Sequence, residues 1–547
     1  MTAWSPEGFS LTPAEMFRAT ATDVESENLC RQYAYVKTRH GAKVSGAHGW
    51  TLQYDRDDIP LKKLFEALQA FHSNRRVGRT DEDARKAAVR YVDDAHSSVK
   101  RFLIKAIDNY LDFLESREEE LGFTLWYMGY DLRARVTSNG QISYWGPTYR
   151  SEDGYIEVHR VRLKHARTAV TRWAELAGYA AARIVGPESQ SVTVVEVGLF
   201  SNRGPSDAIV LDRVHPRELS DRYRSSVRPR ALELFEGADP SPGRNCASCK
   251  ALAACNALIP MDGVLHQIQP GPYTRSISAT DLHIYDRCPA RWHMERKLNL
   301  PPDLDAEGYG EEAERGRAVH RWLRIAHARP RPCSLQDLPE LPDRSSQDVA
   351  FEEFDDATYA TIRPFLLHHI EQCPISHGVE LTLLESPLYG WDLTADTVVV
   401  SAPDAIYLRG TNLVVRETKT TKGEVPLDAN RARDGFEGIV YWLLMLLDGG
   451  WVDRYGCTEG IVELEVLTPQ GAALFSYHTS DDTVMLIAET RVSNRVGQWH
   501  YDTEWKARPS ALCTTCPMAI WCPDAASEAA TATSPSGERP APLGVPF

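Results

Sequence analysis

Residues 401–422 read SAPDAIYLRGTNLVVRETKTTK. Asp404 stands where one apolar run begins, and Glu417-Thr418-Lys419 closes the next, a pattern that predicts two strands of a hairpin whose outer ends meet. Side chains along a strand alternate between faces, so Glu417 and Lys419 return to the same side. Two carboxylates and one ammonium therefore share a small volume.

Upstream, GRAVHRWL places Gly316, Arg317 and His320 on one predicted helix, with His320 available as a further metal ligand. Downstream, GFEGIVYWLLML puts Glu437 and Tyr441 four residues apart on a helical face beside an apolar stripe. Further short apolar runs, 192–200, 208–211, 413–415 and 461–467, predict strands. Helical periodicity over 82–121 predicts one long amphipathic helix. Helices and strands thus alternate through both halves, and the fold class is α/β. Hard carboxylate oxygens such as Asp404 and Glu417 suit Mg2+ or Mn2+. With Lys419 beside them they form a set suited to phosphodiester hydrolysis, which needs a polarised phosphoryl oxygen, an activated water and relief of developing charge.

The cysteines follow a second pattern. Cys513, Cys516 and Cys522 form C-x2-C-x5-C, preceded more than two hundred residues earlier by Cys288 in CPARW. The arrangement recurs in the first half, with Cys246, Cys249 and Cys255 preceded by Cys30 in LCRQYAY. Repetition of so specific a spacing points to metal binding by both sets, and four thiolates suit either zinc or an iron–sulfur cluster. Cys333, Cys373 and Cys457 remain, and read as small buried apolar residues.

A chain of 547 residues exceeds one ordinary core and predicts several domains. Turn-forming PMDG and QPGPY mark a mid-chain break. The expected division is 1–262, a linker 263–275, a second domain 276–526, and a disordered tail 527–547 rich in small residues and proline. With 43% hydrophobic and 25% charged residues, no apolar stretch of membrane-spanning length and no signal-peptide pattern, a cytoplasmic protein is expected. The net charge of -15 argues against general polyanion binding, so any nucleic-acid contact must be local.

Together these residues resemble the RecB-like branch of PD-(D/E)XK nucleases. The likeness is greatest to its iron–sulfur members, the AddB-type repair subunits and the nucleases of CRISPR adaptation. The resemblance covers about 276–524. It implies a restriction-endonuclease-like fold and a [4Fe-4S] cluster held by Cys288, Cys513, Cys516 and Cys522, one before and three after the nuclease core. It assigns metal binding to His320, Asp404 and Glu417 and catalysis to these with Lys419. Tyr441 falls on its Q-x-x-x-Y helix as a DNA contact, although Glu437 replaces the glutamine.

Laid over the second half at near-constant separation, the first half reads as a tandem, degenerate copy with a second cluster on Cys30, Cys246, Cys249 and Cys255. In this alignment Thr148 faces Asp404, Arg160 faces Glu417 and Arg162 faces Lys419, so metal-binding carboxylates are missing there. Arg160 and Arg162, with Lys164, His165 and Arg167, make a basic cluster open to DNA phosphates or to solvent. The expected function is a Mg2+- or Mn2+-dependent deoxyribonuclease, an exonuclease or end-processing endonuclease acting on single-stranded ends or flaps, in DNA repair or antiviral defence. The alternative is a catalytically weak iron–sulfur DNA-binding scaffold. No G-x-x-x-x-G-K-[ST] loop occurs, so a helicase motor, where needed, comes from a protein partner.

Overall fold

A computed structural model describes residues 10–11, 16–40, 44–45, 59–185, 191–200, 207–237, 239–249, 251–252, 255, 257–261, 263–265, 275–303, 311–329, 331–341, 354–377, 379–384, 387–426, 428–436 and 438–525. The chain divides into two compact units. The first comprises Met1–Ala257, Ala290–Asp303 and Met518–Asp524; the second comprises Leu258–Pro289, Leu304–Pro517 and Ala525–Phe547.

This division departs from the boundaries drawn along the sequence. Residues 259–261, expected in the first domain, are a strand of the second unit. At the start of the expected linker, Val264 and Leu265 are fully buried, and the Leu265 N–H donates to the Asp392 carboxylate at 2.7 Å. Residues 518–524 join the first unit because Trp521 is an anchor there. Its ring packs against Phe102 and Phe200, and its indole N–H donates to the Pro301 carbonyl at 2.7 Å. Residues 266–274 and the expected tail 527–547 lie outside the described residues.

In the first unit, β1 (Ser10–Leu11) pairs with β4 (Val44–Ser45). The main sheet comprises β2 (Met16–Thr20), β3 (Arg39–His40), β5 (Trp126–Arg135), β6 (Gly140–Arg150), β7 (Ile156–Arg162), β8 (Val192–Gly198) and β9 (Asp207–Val214). Their order is β3-β2-β6-β7-β8-β9, with β5 also paired to β6. β6 and β7 are antiparallel, β7 and β8 parallel, β8 and β9 antiparallel. A parallel neighbour requires a crossover, supplied by the helix Arg172–Val185. Its Trp173, Leu176, Ala177, Ala180 and Ala181 join a core with Ile156, Val158, Val192 and Val194. Every residue of β8 is buried, as expected of a central strand covered on both faces.

The second unit has two sheets, built from β10 (Ile259–Met261), β11 (Arg275–Ile277), β12 (Glu380–Leu384), β13 (Leu388–Asp392), β14 (Thr397–Ser401), β15 (Ala405–Arg409), β16 (Asn412–Thr420), β17 (Glu459–Leu467) and β18 (Ala472–His478). The orders are β10-β13-β14-β11 and β12-β15-β16-β17-β18. β15 and β16 are the expected hairpin, with Arg409 opposite Asn412 and Gly410 at φ +62°, a value that favours glycine. β16 and β17 are parallel, β17 and β18 antiparallel. The intervening helix Gly438–Leu446 is apolar on all sides and buries every residue from Ile439 to Leu446, because it packs on β16 and β17 on one side and on the helix Asp482–Tyr501 on the other. At about 1.5–3 kcal/mol per large apolar side chain removed from water, its burial contributes substantially to the stability of the unit.

The predicted long helix over 82–121 is instead two helices, Asp81–Arg90 and Ser97–Leu121. Asp93, Asp94 and Ser97, all weaker helix formers than alanine or leucine, fall at the break. The N–H groups of Val99 and Lys100 both restart the ladder on the His96 carbonyl.

Candidate functional site

The site is built on the β15–β16 hairpin. Ala405 pairs with Arg416, so Asp404, just before β15, falls beside the end of β16. There the Thr418 N–H donates to Asp404 Oδ2 at 2.6 Å. Strand alternation sets Glu417 and Lys419 together, with Lys419 Nζ 3.1 Å from Glu417 Oε2. The second oxygen of Glu417 accepts from the Trp442 indole N–H at 2.7 Å. His320, on the helix Glu311–His327, brings Nδ1 to 3.0 Å from Asp404 Oδ1. The structure thus brings His320, Asp404, Glu417 and Lys419 into one cluster. Their side chains are 12–22% exposed, enough to meet a ligand.

The electrostatics separate the two carboxylates. Burial raises the Asp404 carboxyl, but His320, Lys419 and the Thr418 N–H outweigh it and hold the group below its ordinary range. Burial pushes the Glu417 carboxyl up; Lys419 opposes this, Asp404 adds to it, and the net shift is upward. Lys419 is disfavoured by burial yet held above its ordinary value by Glu417 and Asp404. Neighbouring carboxylates with incompletely balanced charge, and oxygens near the surface, suit a hard divalent cation.

Trp442 was not singled out by its sequence. Its signal is its place next to Tyr441, on the predicted helix that carries the apolar stripe. Tyr441 itself corrects the expectation of a DNA contact: it is 2% exposed, and its hydroxyl donates to the Ile277 carbonyl at 3.2 Å, so it belongs to the interior. Glu437 lies outside the described residues.

Arg160 and Arg162 are a second correction. Arg160 donates to Glu25 Oε1 at 2.7 Å and to Thr171 Oγ1 at 2.8 Å, with Glu196 3.6 Å from its Nε. Arg162 pairs with the same Glu196. Their charge is already matched by carboxylates of their own unit, which leaves little for phosphates. Lys164, His165 and Arg167 are exposed. Thr148 is fully buried, its hydroxyl 3.0 Å from that of Tyr144.

Among the cysteines, the first unit brings Cys30, Cys246, Cys249 and Cys255 into mutual electrostatic reach. Burial, with Cys30 and Cys255 nearby, pushes the Cys246 thiol up to about 11 and the Cys249 thiol up to about 12. Backbone N–H groups point at the sulfurs: Ser241 and Tyr33 at Cys30 (3.4 and 3.5 Å), Gly243 at Cys246 (3.3 Å). In the second unit the pattern repeats at the same spacing, with Arg508 N–H on Cys288 (3.5 Å) and Ser510 N–H on Cys513 (3.4 Å). Cys522 lies on the segment counted with the first unit. Cys333 and Cys373, expected to be inert apolar residues, are buried but face two imidazoles.

No curated protein matches the chain. Among solved structures, one titled "Crystal structure of SSO0001" is similar at 16% identity over 45% of this chain and 86% of its own, with a TM-score of 0.23. Residues 276–523, which contain the whole His320–Asp404–Glu417–Lys419 cluster, match the PD-(D/E)XK nuclease superfamily, and the chain carries a domain of that superfamily over this span.

Proposed function

We propose that the chain is a Mg2+- or Mn2+-dependent deoxyribonuclease of the RecB-like kind, and that His320, Asp404 and Glu417 hold the ion. The observation that carries the reading is the meeting of Asp404, Glu417, Lys419 and His320 at the end of the β15–β16 hairpin. A bound divalent ion supplies Lewis acidity toward a phosphoryl oxygen and a water of lowered pKa. The protein's own part is positional. Thr418 N–H and His320 aim Asp404, Trp442 N–H and Lys419 aim Glu417, and the Lys419 ammonium stands ready to orient a water or balance charge on the phosphoryl group. Cleavage of end-labelled single- and double-stranded DNA with Mg2+ or Mn2+, compared with Asp404→Ala and Lys419→Ala, tests it. Undiminished cleavage by either variant overturns it.

The eight paired cysteines are proposed to hold [4Fe-4S] clusters, one on Cys30, Cys246, Cys249 and Cys255 and one on Cys288, Cys513, Cys516 and Cys522. In support, backbone N–H groups point at sulfurs in both sets, the kind of hydrogen bonding that tunes such clusters. For the second set the proposal rests otherwise on its identical spacing.

The first unit is proposed to be a degenerate copy. Its succession β6-β7-β8-β9 repeats the antiparallel, parallel, antiparallel pairing of β15-β16-β17-β18. Arg160 lies over the Trp173 ring, 5.1 Å from its centroid, and Glu417 accepts from the Trp442 indole N–H, so each has a tryptophan of the following helix for a neighbour. Matching those two positions sets Val158 over Val415 and their partners Thr148 over Ile406. Gly146, and not Thr148, then stands where Asp404 stands. A Cβ at Gly146 would come within 2.5 Å of the His159 carbonyl oxygen, so no carboxylate fits there without a backbone shift. DNA is the proposed substrate, with single-stranded ends or flaps, and a helicase the proposed partner in trans.

A further inference from the structure

The sequence HARPRPC, 327–333, and the sequence HIEQC, 369–373, end two neighbouring helices of the second unit, Glu311–His327 and Asp356–Gln372. Their ligand-type atoms converge: one each from His327, Cys333, His369 and Cys373 lie within 4.8 Å of one another. His327 Nε2 is 3.0 Å from His369 Nε2 and 3.8 Å from Cys373 Sγ. All four residues are at most 6% exposed, and Val319, Trp322, Leu323, Ile362, Phe365 and Leu366 surround them.

We propose that these four residues form a structural Zn2+ site, separate from the Asp404–Glu417 site and from both paired cysteine sets. Tetrahedral zinc with bonds of about 2.3 Å to sulfur and about 2.0–2.1 Å to nitrogen holds its ligand atoms roughly 3.3–3.8 Å apart, and the observed separations need only small adjustment to reach that. Charge balances as well, since two thiolates neutralise the ion in an apolar surround where a net charge would be costly.

The surroundings orient the ligands as a metal site requires. His369 Nδ1 is 2.8 Å from Glu465 Oε1, which assigns the proton to Nδ1 and leaves Nε2 with a lone pair facing His327 and the thiols. Glu465 Oε2 in turn accepts from the Thr418 hydroxyl at 2.9 Å, so the site is tied to the strand residue between Glu417 and Lys419. The loop presenting Cys333 is fixed by Asp337, which takes Arg329 at 2.7 Å, Arg331 at 2.6 Å and the Ser334 N–H at 2.8 Å. A mixed sulfur–nitrogen set selects zinc, whereas the oxygen-rich site on the other side of β16 selects a hard ion.

The test is elemental analysis of the full chain purified without added zinc, alongside a Cys333→Ser/Cys373→Ser double variant. One zinc per chain is expected to be lost in the variant with iron unchanged; an unaltered zinc content overturns the proposal. Should the variant fail to fold, anomalous diffraction at the zinc edge from wild-type crystals decides. A peak among the four side chains supports the site, and its absence, or a disulfide between Cys333 and Cys373, overturns it.

Discussion

At Glu417 the demands of stability and of the proposed chemistry meet in one carboxyl. Its carboxyl is raised by burial and by Asp404, so the folded protein holds that proton more tightly than the unfolded chain does. A raised carboxyl costs stability at pH values above its unfolded value of about 4.3, and the cost disappears as pH falls through that range. Glu417→Gln keeps an acceptor for Trp442 and removes the charge. Cleavage should fall at least about 100-fold, the scale on which one preorganised electrostatic group acts. In chelator at neutral pH, the thermal midpoint should be unchanged or higher; a marked drop would show Glu417 to be structural. For the wild type, the acid limb of the rate profile should lie above the ordinary carboxylate range at limiting Mn2+. It should move to lower pH as Mn2+ is raised, since the ion competes with protons. Asp404, Glu417 and Lys419 were legible because they lie within one hairpin, where period two fixes their faces. Trp442 and Glu465 were not, because which buried polar group finds which partner depends on strands and helices distant in sequence.

Among elements, the strands expected at 192–200, 413–415 and 461–467 were legible because residues 192–199, 413–415 and 461–467 are buried, although the first strand ends at Gly198. The break at 91–96 was masked by apolar periodicity continuing across it. The His327–Cys333 and His369–Cys373 pairs were hidden because each has only two ligands, set at a helix end, and isolated buried cysteines look apolar. Their tie to β16 is testable: Glu465→Gln, which weakens the carboxylate–imidazole bond, should lower zinc affinity about 10- to 100-fold in a competition titration with a chelator. Equal affinity would mean that Glu465 serves only Thr418. In the first unit, Glu157 is buried among Arg117, His159 and Tyr155. Burial raises its carboxyl, but His159 and Arg117 bring it down to about 2. This stability is present above the unfolded value and is lost as pH falls toward 2. Glu157→Ala leaves Arg117 without its buried partner and should cost about 3–5 kcal/mol in unfolding of that unit. A loss below about 1 kcal/mol would show the network to be easily rearranged.

For the whole molecule, a chain with net charge -15 must concentrate whatever phosphate affinity it has. The basic stretch at 160–167 looked like one such place in the sequence, where charge is visible and pairing is not. Glu25 and Glu196 are distant in sequence from Arg160, and only the fold discloses that they absorb the charge of Arg160 and Arg162. Lys164 and Arg167 are exposed and, beside the exposed His165, are the cations of that stretch open to a polyanion. If the first unit contributes to DNA binding through them, Lys164→Gln/Arg167→Gln should weaken binding and flatten the dependence of log affinity on log salt by up to about 2, roughly 0.7–0.9 for each phosphate no longer neutralised. The fold and the rate of cleavage at saturating DNA should not change, because neither side chain belongs to the cluster around Asp404. Arg160→Gln is the internal contrast. It should destabilise the first unit by unpairing Glu25, and in protein that remains folded it should leave the salt slope as it was. Equal slopes for the wild type and the Lys164→Gln/Arg167→Gln variant would remove 160–167 from the DNA path and leave the first unit as a platform for a protein partner.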